Sequence, residues 1–258
     1  MQPHVARISI APVKALGLLH PDEVNLDEHG VTGDRRFWLL DEDGRLFNNK
    51  RNGPILQIRP EWDEDTRELA LTFPDGRRVE GIVELGDTVE PVLHRVTHPS
   101  QRVLGPWDAA LSEYAGKRLQ LLWSNVRATD RGVRGGTVSL VSRASLERLR
   151  EQAGEDAPVD GRRFRMLFEI DGVTAHEEDE WLGSQVRVGE ATLSLNGDVG
   201  RCLATSRNPD TGVVDLDTLG VLAGYRREGR SEPLPFGVYG SVAVPGRVRV
   251  GDPIARVL

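Results

Sequence analysis

The 258-residue chain contains a single cysteine, and this scarcity excludes several classes of protein. One thiol cannot form an internal disulfide or supply the cysteine cluster of an iron–sulfur domain. No apolar run reaches the roughly 18 residues that a transmembrane helix needs. The net charge of −7 argues against nucleic-acid binding. The stretch from Met1 to Ile10 lacks the apolar region of a signal peptide, so we expect a cytoplasmic protein with no membrane partner.

Aromatic residues are also sparse, at 5% of the chain, whereas glycine is frequent, with 28 residues. This mixture favours many short strands and turns over long helices. The length suits one large or two small domains. The pattern changes near Gly105, where an all-β stretch gives way to a mixed one. We therefore predict a mainly β protein with a few helices, built of β-barrel-like domains spanning residues 1–104 and 105–258.

Local patterns predict several individual elements. Helical spacing begins at Trp107 and ends at Gly116, which suits a C-cap. Ser142 or Ser145 suits the N-cap of a second helix that closes at Gly154. Two further expectations are a strand over Phe164–Ile170 and a closing hairpin formed by Gly237–Val244 and Arg247–Val250.

The single thiol, Cys202, stands in the most informative stretch of the sequence. It follows Arg201 and an alternating apolar segment, and it precedes the turn residues Asn208-Pro-Asp-Thr-Gly212. A thiolate is a nucleophile and a soft metal ligand, and a neighbouring cation favours it. Free cysteines are also among the most frequently buried residues. The residues themselves therefore leave a reactive thiol and a packed thiol both open.

Basic residues at or just past predicted strand ends are the other candidates; they are Lys14, Arg36, Arg51 and Arg165. If they converge they can bind an anion, because the guanidinium binds phosphate or carboxylate through two hydrogen bonds. The alternative is that they are solvated or protect sheet edges. The loop Gly132-Val-Arg-Gly-Gly136 is a weak candidate for a phosphate-binding nest, and such loops are more often simply flexible.

Several short motifs, in their order along the chain, resemble those of the MOSC family. They are Ala11-Pro-Val-Lys14, Gly33-Asp-Arg-Arg36-Phe-Trp, Asn49-Lys-Arg51, Arg163-Phe-Arg165, Glu178-Asp-Glu-Trp181, Arg201-Cys202 with Pro209-Asp-Thr-Gly212, and Phe236-Gly-Val-Tyr239. Each motif alone is weak, but their order is specific, and the resemblance runs almost from end to end. More narrowly, the chain is similar to the subgroup that fuses an N-terminal MOSC β-barrel domain to the MOSC domain, which includes the amidoxime-reducing components and their bacterial relatives.

This resemblance implies a molybdenum cofactor, molybdenum bound to molybdopterin, whose metal is held by a protein thiolate. By resemblance Cys202 is that metal ligand and the catalytic residue, and a thiolate suits so soft a metal. The expected cofactor-binding residues are Lys14, Arg36, Arg51, Arg134, Ser139, Arg165, Arg201 and Tyr239. The chain departs from the family pattern where Met166-Leu167 replaces the usual Pro-Asn after Arg165, and in the loop Arg134-Gly135-Gly136.

The leading expectation is a molybdenum-dependent oxidoreductase that reduces small N-oxygenated compounds such as hydroxylamines or amidoximes. Because the chain ends at Leu258 without a cysteine cluster, we expect a separate protein to donate the electrons. One alternative is a cofactor-free sulfur-transfer or C–S bond-processing enzyme, with Cys202 as nucleophile or persulfide carrier. The other is a non-catalytic protein that binds or delivers the cofactor. No nucleic-acid partner is expected from any of these.

Overall fold

The computed structural model describes residues 2–93, 96–124 and 136–257 of the chain. Its strands, in chain order, are β1 (His4–Ile8), β2 (Glu23–Asp27), β3 (Gly30–Val31), β4 (Phe37–Asp41), β5 (Leu46–Phe47), β6 (Arg59–Asp63), β7 (Glu68–Thr72), β8 (Arg78–Ile82), β9 (Glu84–Val89), β10 (Val92–Leu93), β11 (Val96–Thr97), β12 (Ser100–Leu104), β13 (Leu119–Ser124), β14 (Val138–Ser142), β15 (Phe168–Asp171), β16 (Gln185–Val188), β17 (Ala191–Gly200), β18 (Pro235–Val244), β19 (Gly246–Arg249) and β20 (Ile254–Val257). Its α-helices are α1 (Trp107–Ala115), α2 (Arg143–Ala153) and α3 (Thr218–Tyr225). Short 3₁₀ helices cover Gly53–Gln57, Gly161–Phe164, Glu177–Trp181 and Leu203–Ser206. The predicted mainly β fold with few helices is confirmed.

The largest sheet has seven strands in the order β1-β15-β14-β18-β17-β16-β20. The pair β14 and β15 is parallel, and the other neighbours are antiparallel. Alternating apolar side chains along these strands, such as Leu140, Phe168 and Leu193, are fully buried in one core. The first strand belongs to this sheet, with Ile8 opposite Phe168. The long strand β17 ends at Gly200, two residues before the cysteine.

A second sheet, β5-β4-β13-β12-β9, packs with the meander β6-β7-β8 around a separate core. Phe37, Leu69 and Trp107 are buried in this core. The small sheet β19-β2-β3 joins residues from both ends of the chain. The predicted boundary between residues 104 and 105 stays a prediction, and β13 pairs across it with β4 and β12.

The predicted helix ends are confirmed. Gly116 follows α1 with φ 63°, the left-handed conformation that glycine adopts without strain. The Ser142 hydroxyl accepts a hydrogen bond from the Ser145 amide and caps α2, which ends at Gly154 with φ 69°. None of the helices in the described ranges has the length and apolar character needed to span a bilayer.

Two local predictions are wrong. The segment Phe164–Ile170 is not one strand, because the Asp160 carboxylate caps the Arg162 amide and starts a 3₁₀ helix, so β15 begins only at Phe168. The closing hairpin does not form either. Both edges of β18 are already paired, with β14 and β17, and β19 pairs with β2 instead.

Candidate functional site

Loops from both halves of the chain are connected by hydrogen bonds beyond the end of β17, and we call this region the seam. Its segments are residues 11–17, 34–37, 48–57, 160–167 and 201–216. The Arg35 Nη2 donates to the Arg165 carbonyl at 2.9 Å. The Arg207 Nη2 donates to the Lys50 carbonyl at 3.1 Å, and the Gln57 Nε2 donates to the Thr211 carbonyl at 3.2 Å.

The candidate thiol lies on the seam at the N-cap of the 3₁₀ helix Leu203–Ser206. Cys202 has an extended backbone, with φ −140° and ψ 173°. Its carbonyl accepts hydrogen bonds from the amide and the hydroxyl of Thr205, at 3.0 and 2.9 Å. The residue is partly exposed and is not sealed in an apolar core. Of the two interpretations left open by the sequence, this position favours a thiol that a ligand can reach.

Two of the predicted basic residues lie on adjacent segments of the seam. The Lys14 amide donates to the Phe37 carbonyl at 2.7 Å, so the backbone of Lys14 runs beside the segment that contains Arg36. The Arg36 side chain is only 7% exposed and pairs with Glu64 at 2.5 Å. Its guanidinium carbon lies 4.4 Å from the centre of a Trp123 ring. An arginine is seldom this buried unless it has a partner, and the burial argues against a role as a solvated surface charge.

Arg51 and Arg165 occupy different settings. The side chain of Arg51 is 53% exposed and approaches Asp41 at 3.3 Å. Arg165 is the C-cap of the 3₁₀ helix Gly161–Phe164, with a left-handed φ of 54°. The structure therefore places Arg165 in the seam beside the segment of Arg36, and it leaves Arg51 on the outer side of the 48–57 loop.

The remaining predicted residues support the seam through sheet contacts. Ser139 lies opposite Tyr239 across β14 and β18, and its hydroxyl accepts from the Leu167 amide at 3.0 Å. Tyr239 is nearly buried and packs so closely on Gly197 that a Cβ there would meet its hydroxyl at 2.7 Å. Arg134 lies outside the described residues. All three stay predictions as cofactor-binding residues.

The hydrogen bonds of the Arg201 guanidinium argue against a role in which it only binds an ion. Its Nε donates to the Phe236 carbonyl at 2.8 Å, and its Nη1 donates to the Phe164 carbonyl at 3.1 Å. Its Nη2 donates to the Met166 sulfur at 2.9 Å. Since each of these nitrogens already has a protein partner, the structure presents Arg201 as a residue that ties segments of the seam together.

Sequence reasoning missed Arg35, which is as buried as Arg36 and whose side chain is 7% exposed. The two arginines stand side by side after Gly33-Asp34, and local pattern does not distinguish them. It also missed the contact between Gly53 and Gly212, where a Cβ on Gly212 would lie 2.1 Å from the Gly53 carbonyl oxygen. Both features depend on contacts between distant segments.

His176 packs against Phe236, whose carbonyl accepts a hydrogen bond from Arg201. The centre of the His176 ring lies 5.8 Å from those of both Phe236 and Tyr225. Neither of its ring nitrogens has a hydrogen-bond partner among the described residues. Burial, with smaller contributions from Arg226 and Arg148, lowers the pKa of His176 to about 4. The ring is therefore neutral in the folded protein at pH 7.

This environment predicts a loss of stability in mild acid. The unfolded chain takes up a proton at His176 near its ordinary pKa of 6.5, whereas the folded chain resists it until about pH 4. Stability is therefore lost as the pH falls from 6.5 to 4, by roughly 1–3 kcal/mol after allowance for solvent screening. We expect His176→Phe to remove this part of the pH-dependent stability loss, measured as the difference between the free energies of urea unfolding at pH 7 and at pH 4.5. The matched control is His29→Phe, at a ring that is 59% exposed. Parallel pH dependence in wild type and His176→Phe would contradict the prediction.

No cluster of three or more His, Cys, Asp or Glu residues within 2–93, 96–124 and 136–257 is arranged to hold a metal ion. A metal bound at Cys202 would therefore need its other donors from outside the described side chains. An ordinary metalloenzyme site takes most of its donors from protein side chains. The need for outside donors instead favours a site that receives a metal already held by an organic ligand.

Comparisons with known proteins agree on both halves of the chain. Residues 2–106 match the MOSC N-terminal beta barrel domain, and residues 129–255 match the MOSC domain. Mitochondrial amidoxime-reducing component 1 of Mus musculus is 36% identical over 97% of this chain and 81% of its own length. The Homo sapiens protein of the same name is 32% identical over 97% and 82%.

Two more distant proteins are also similar. A molybdenum cofactor sulfurase from Oryza sativa subsp. japonica is 26% identical over 87% of this chain, but only 31% of its own length is covered. Among solved structures, the YuaD protein from Bacillus subtilis aligns with 98% of this chain and 94% of its own, with a TM-score of 0.45 and 13% identity.

Proposed function

This chain belongs to the MOSC family, with a MOSC N-terminal beta barrel domain before the MOSC domain, and from this premise we propose that it is a molybdenum-cofactor-dependent oxidoreductase that reduces small N-oxygenated compounds. The observation that carries the proposal is the partly exposed Cys202 thiol on a seam to which buried cations contribute. The relatives named amidoxime-reducing component, which match 97% of this chain and 81–82% of their own length, support the substrate class.

The described residues fit such a cofactor. The soft thiolate of Cys202 suits molybdenum, and the lack of a cluster of three or more metal-ligating side chains in the described ranges suits a metal that brings its own sulfur donors. The Nε of Arg36 is buried without a hydrogen-bond partner among the described residues, although an ordered guanidinium normally satisfies its donors. An anionic group of a pterin phosphate would satisfy it.

Each residue of the seam then has a defined task. When bound, the cofactor supplies two-electron oxygen-atom transfer. Cys202 would hold the metal, and the Thr205 amide and hydroxyl bind its carbonyl and fix its backbone. Lys14, Arg36 and Arg165 bind the anionic part of the cofactor, with Trp123 covering one face of the Arg36 guanidinium and limiting its access to water. The loop of residues 207–212 is held against the 48–57 segment by the bond from Arg207 to the Lys50 carbonyl.

Turnover of such a reductase requires electrons from outside the site. Among the described residues Cys202 is the one cysteine, so this part of the chain offers no cysteine cluster that could hold a second redox centre beside the proposed molybdenum site. We therefore propose a separate electron-donor protein. The oxygen of the substrate leaves as water, which consumes two electrons and two protons in each turnover.

Metal analysis of the purified protein tests this function directly. Protein from a molybdenum-replete host is expected to contain about one molybdenum per chain, together with a pterin that fluoresces after oxidation. Absence of both from freshly purified protein would overturn the proposal. If Cys202 then gained a sulfur atom from a sulfur donor, as seen by mass spectrometry, sulfur transfer would replace it. Stable cofactor without turnover of any hydroxylamine or amidoxime would indicate a delivery protein instead.

A further inference from the structure

Three consecutive residues, Phe164, Arg165 and Met166, form what we call the 164–166 turn, which is bonded to the residue before the candidate thiol. Arg165 is left-handed, with φ 54°, a conformation that is strained for a residue other than glycine. Its amide donates to the Arg162 carbonyl at 3.1 Å and closes the preceding 3₁₀ helix. A turn that holds a side chain in such a conformation must be supported by its surroundings.

One support comes from the N-terminal half of the chain. Arg35 donates from Nη2 to the Arg165 carbonyl at 2.9 Å. The Arg35 side chain is 7% exposed and forms an ion pair with Asp34, which is 4% exposed. The other Asp34 carboxylate oxygen accepts from the Ala11 amide at 2.7 Å. The guanidinium that reaches the turn is therefore itself fixed by a buried carboxylate and by the segment that leads to Lys14.

The second support comes from the residue before the thiol. Arg201 donates to the Phe164 carbonyl and to the Met166 sulfur, one bond on each side of Arg165. Its guanidinium carbon also lies 5.1 Å from the centre of the Phe164 ring. Because Arg201 and Cys202 are adjacent, these side-chain bonds link the residue next to the thiol to the turn.

We propose that Arg35 and Arg201 are positioning residues that clamp the 164–166 turn from two distant segments of the chain and fix the Arg165 side chain relative to Cys202. This inference rests on the proposed function in one respect, since it takes Arg165 to bind an anionic group. It assigns Arg201 to the protein framework, in contrast to its expected role as a cofactor-binding residue. Neither guanidinium can be replaced by lysine without loss, because an ammonium cannot bond two separated acceptors in a fixed plane.

A double-mutant cycle with inorganic phosphate tests the clamp. Cofactor-free protein, produced in a host that makes no molybdenum cofactor, is titrated with phosphate by calorimetry. Arg165→Ala is expected to weaken phosphate binding strongly. Arg35→Lys and Arg201→Lys are each expected to weaken it about tenfold when Arg165 is present, and to cause no further loss in the Arg165→Ala background. If one lysine variant does not fold, the cycle with the other variant still tests the proposal, because each arginine bonds different atoms of the turn.

The matched control is Arg226→Lys. Arg226 also donates to a backbone carbonyl, that of Pro235 at 2.8 Å, and pairs with Asp179 at 2.5 Å, but neither partner belongs to the turn. It is expected to lower the melting temperature without changing the phosphate affinity. Additive losses in the cycle, lysine variants that change only the melting temperature, or phosphate affinity that is absent or indifferent to Arg165→Ala would each overturn the clamp. A coupled cycle in a protein that never contains molybdenum would keep the clamp and reject the proposed function.

Discussion

Cys202→Ser is expected to purify without molybdenum and to lose activity toward N-oxygenated substrates by about 100-fold or more. A serine hydroxyl is a harder and far less acidic donor than a thiol, so it does not replace a soft thiolate at this metal. Even outer contacts of a metal ligand are worth about 10–100-fold, and the ligand itself is worth at least as much. Because Cys202 is partly exposed, we expect the stability of the folded chain to change by less than about 1 kcal/mol.

The measurement combines metal analysis, pterin fluorescence and the rate of hydroxylamine reduction with an artificial electron donor. Val213→Ala is the matched control, since this side chain is 60% exposed and lies on the same loop segment. It should retain the metal content of the wild type. A serine variant with full metal content and full activity would reject Cys202 as the ligand.

Gly212→Ala is expected to lower the free energy of unfolding by about 2–4 kcal/mol and the melting temperature by roughly 5–15 °C. Gly212 has a left-handed φ of 73°, and an added Cβ would stand 2.1 Å from the Gly53 carbonyl oxygen. Backbone atoms cannot rotate aside as a flexible side chain does, so the two loops must separate. The Arg207 Nη1, which donates to the Gly212 carbonyl at 2.7 Å, would move with them.

Since Arg207 ends the short helix that begins after Cys202, the same variant should also lose much of its cofactor. Thermal unfolding and molybdenum content measured on one preparation test both effects. Gly224→Ala in α3 is the matched control, because nothing lies within 4 Å of its added Cβ. The control should match or exceed the stability of the wild type, since alanine favours a helix over glycine. Equal behaviour of the two alanine variants would show that the glycine contact does not hold the loop.

Features set by neighbouring residues could be predicted from the sequence. Ser142 and Gly116 bound their helices because a hydroxyl and a left-handed glycine satisfy backbone groups within one turn. The same reasoning gave a wrong prediction for the segment at Phe164, where the strand begins only at Phe168. Its apolar pattern suits a strand, but the carboxylate of Asp160 starts a helical turn there. The pairing of β19 with β2 depends on which sheet edges remain unpaired in the whole fold. The local sequence of either strand cannot predict it.

The candidate site shows the same division. Its single thiol can be found from composition, but only the partial exposure of Cys202 in the fold separates a reachable thiol from a packed one. Adjacency made Arg201 a candidate partner of the thiol, whereas the direction of its guanidinium follows from three carbonyl and sulfur acceptors elsewhere in the chain. Arg35 and Arg36 are equivalent in sequence, and only tertiary contacts separate a residue that supports the turn from one that pairs with Glu64.

The place of β1 beside β15 has a consequence during synthesis on the ribosome. Ile8 pairs with Phe168, so the first strand leaves the exit tunnel with no partner until roughly 160 further residues have been added. At about 5–20 residues per second this wait is on the order of 10–30 s. Arg36 emerges early and Cys202 late, so a site that uses both residues can form only after residue 202 has left the tunnel. A nascent chain of this length would meanwhile expose an unpaired strand edge, which a chaperone could cover.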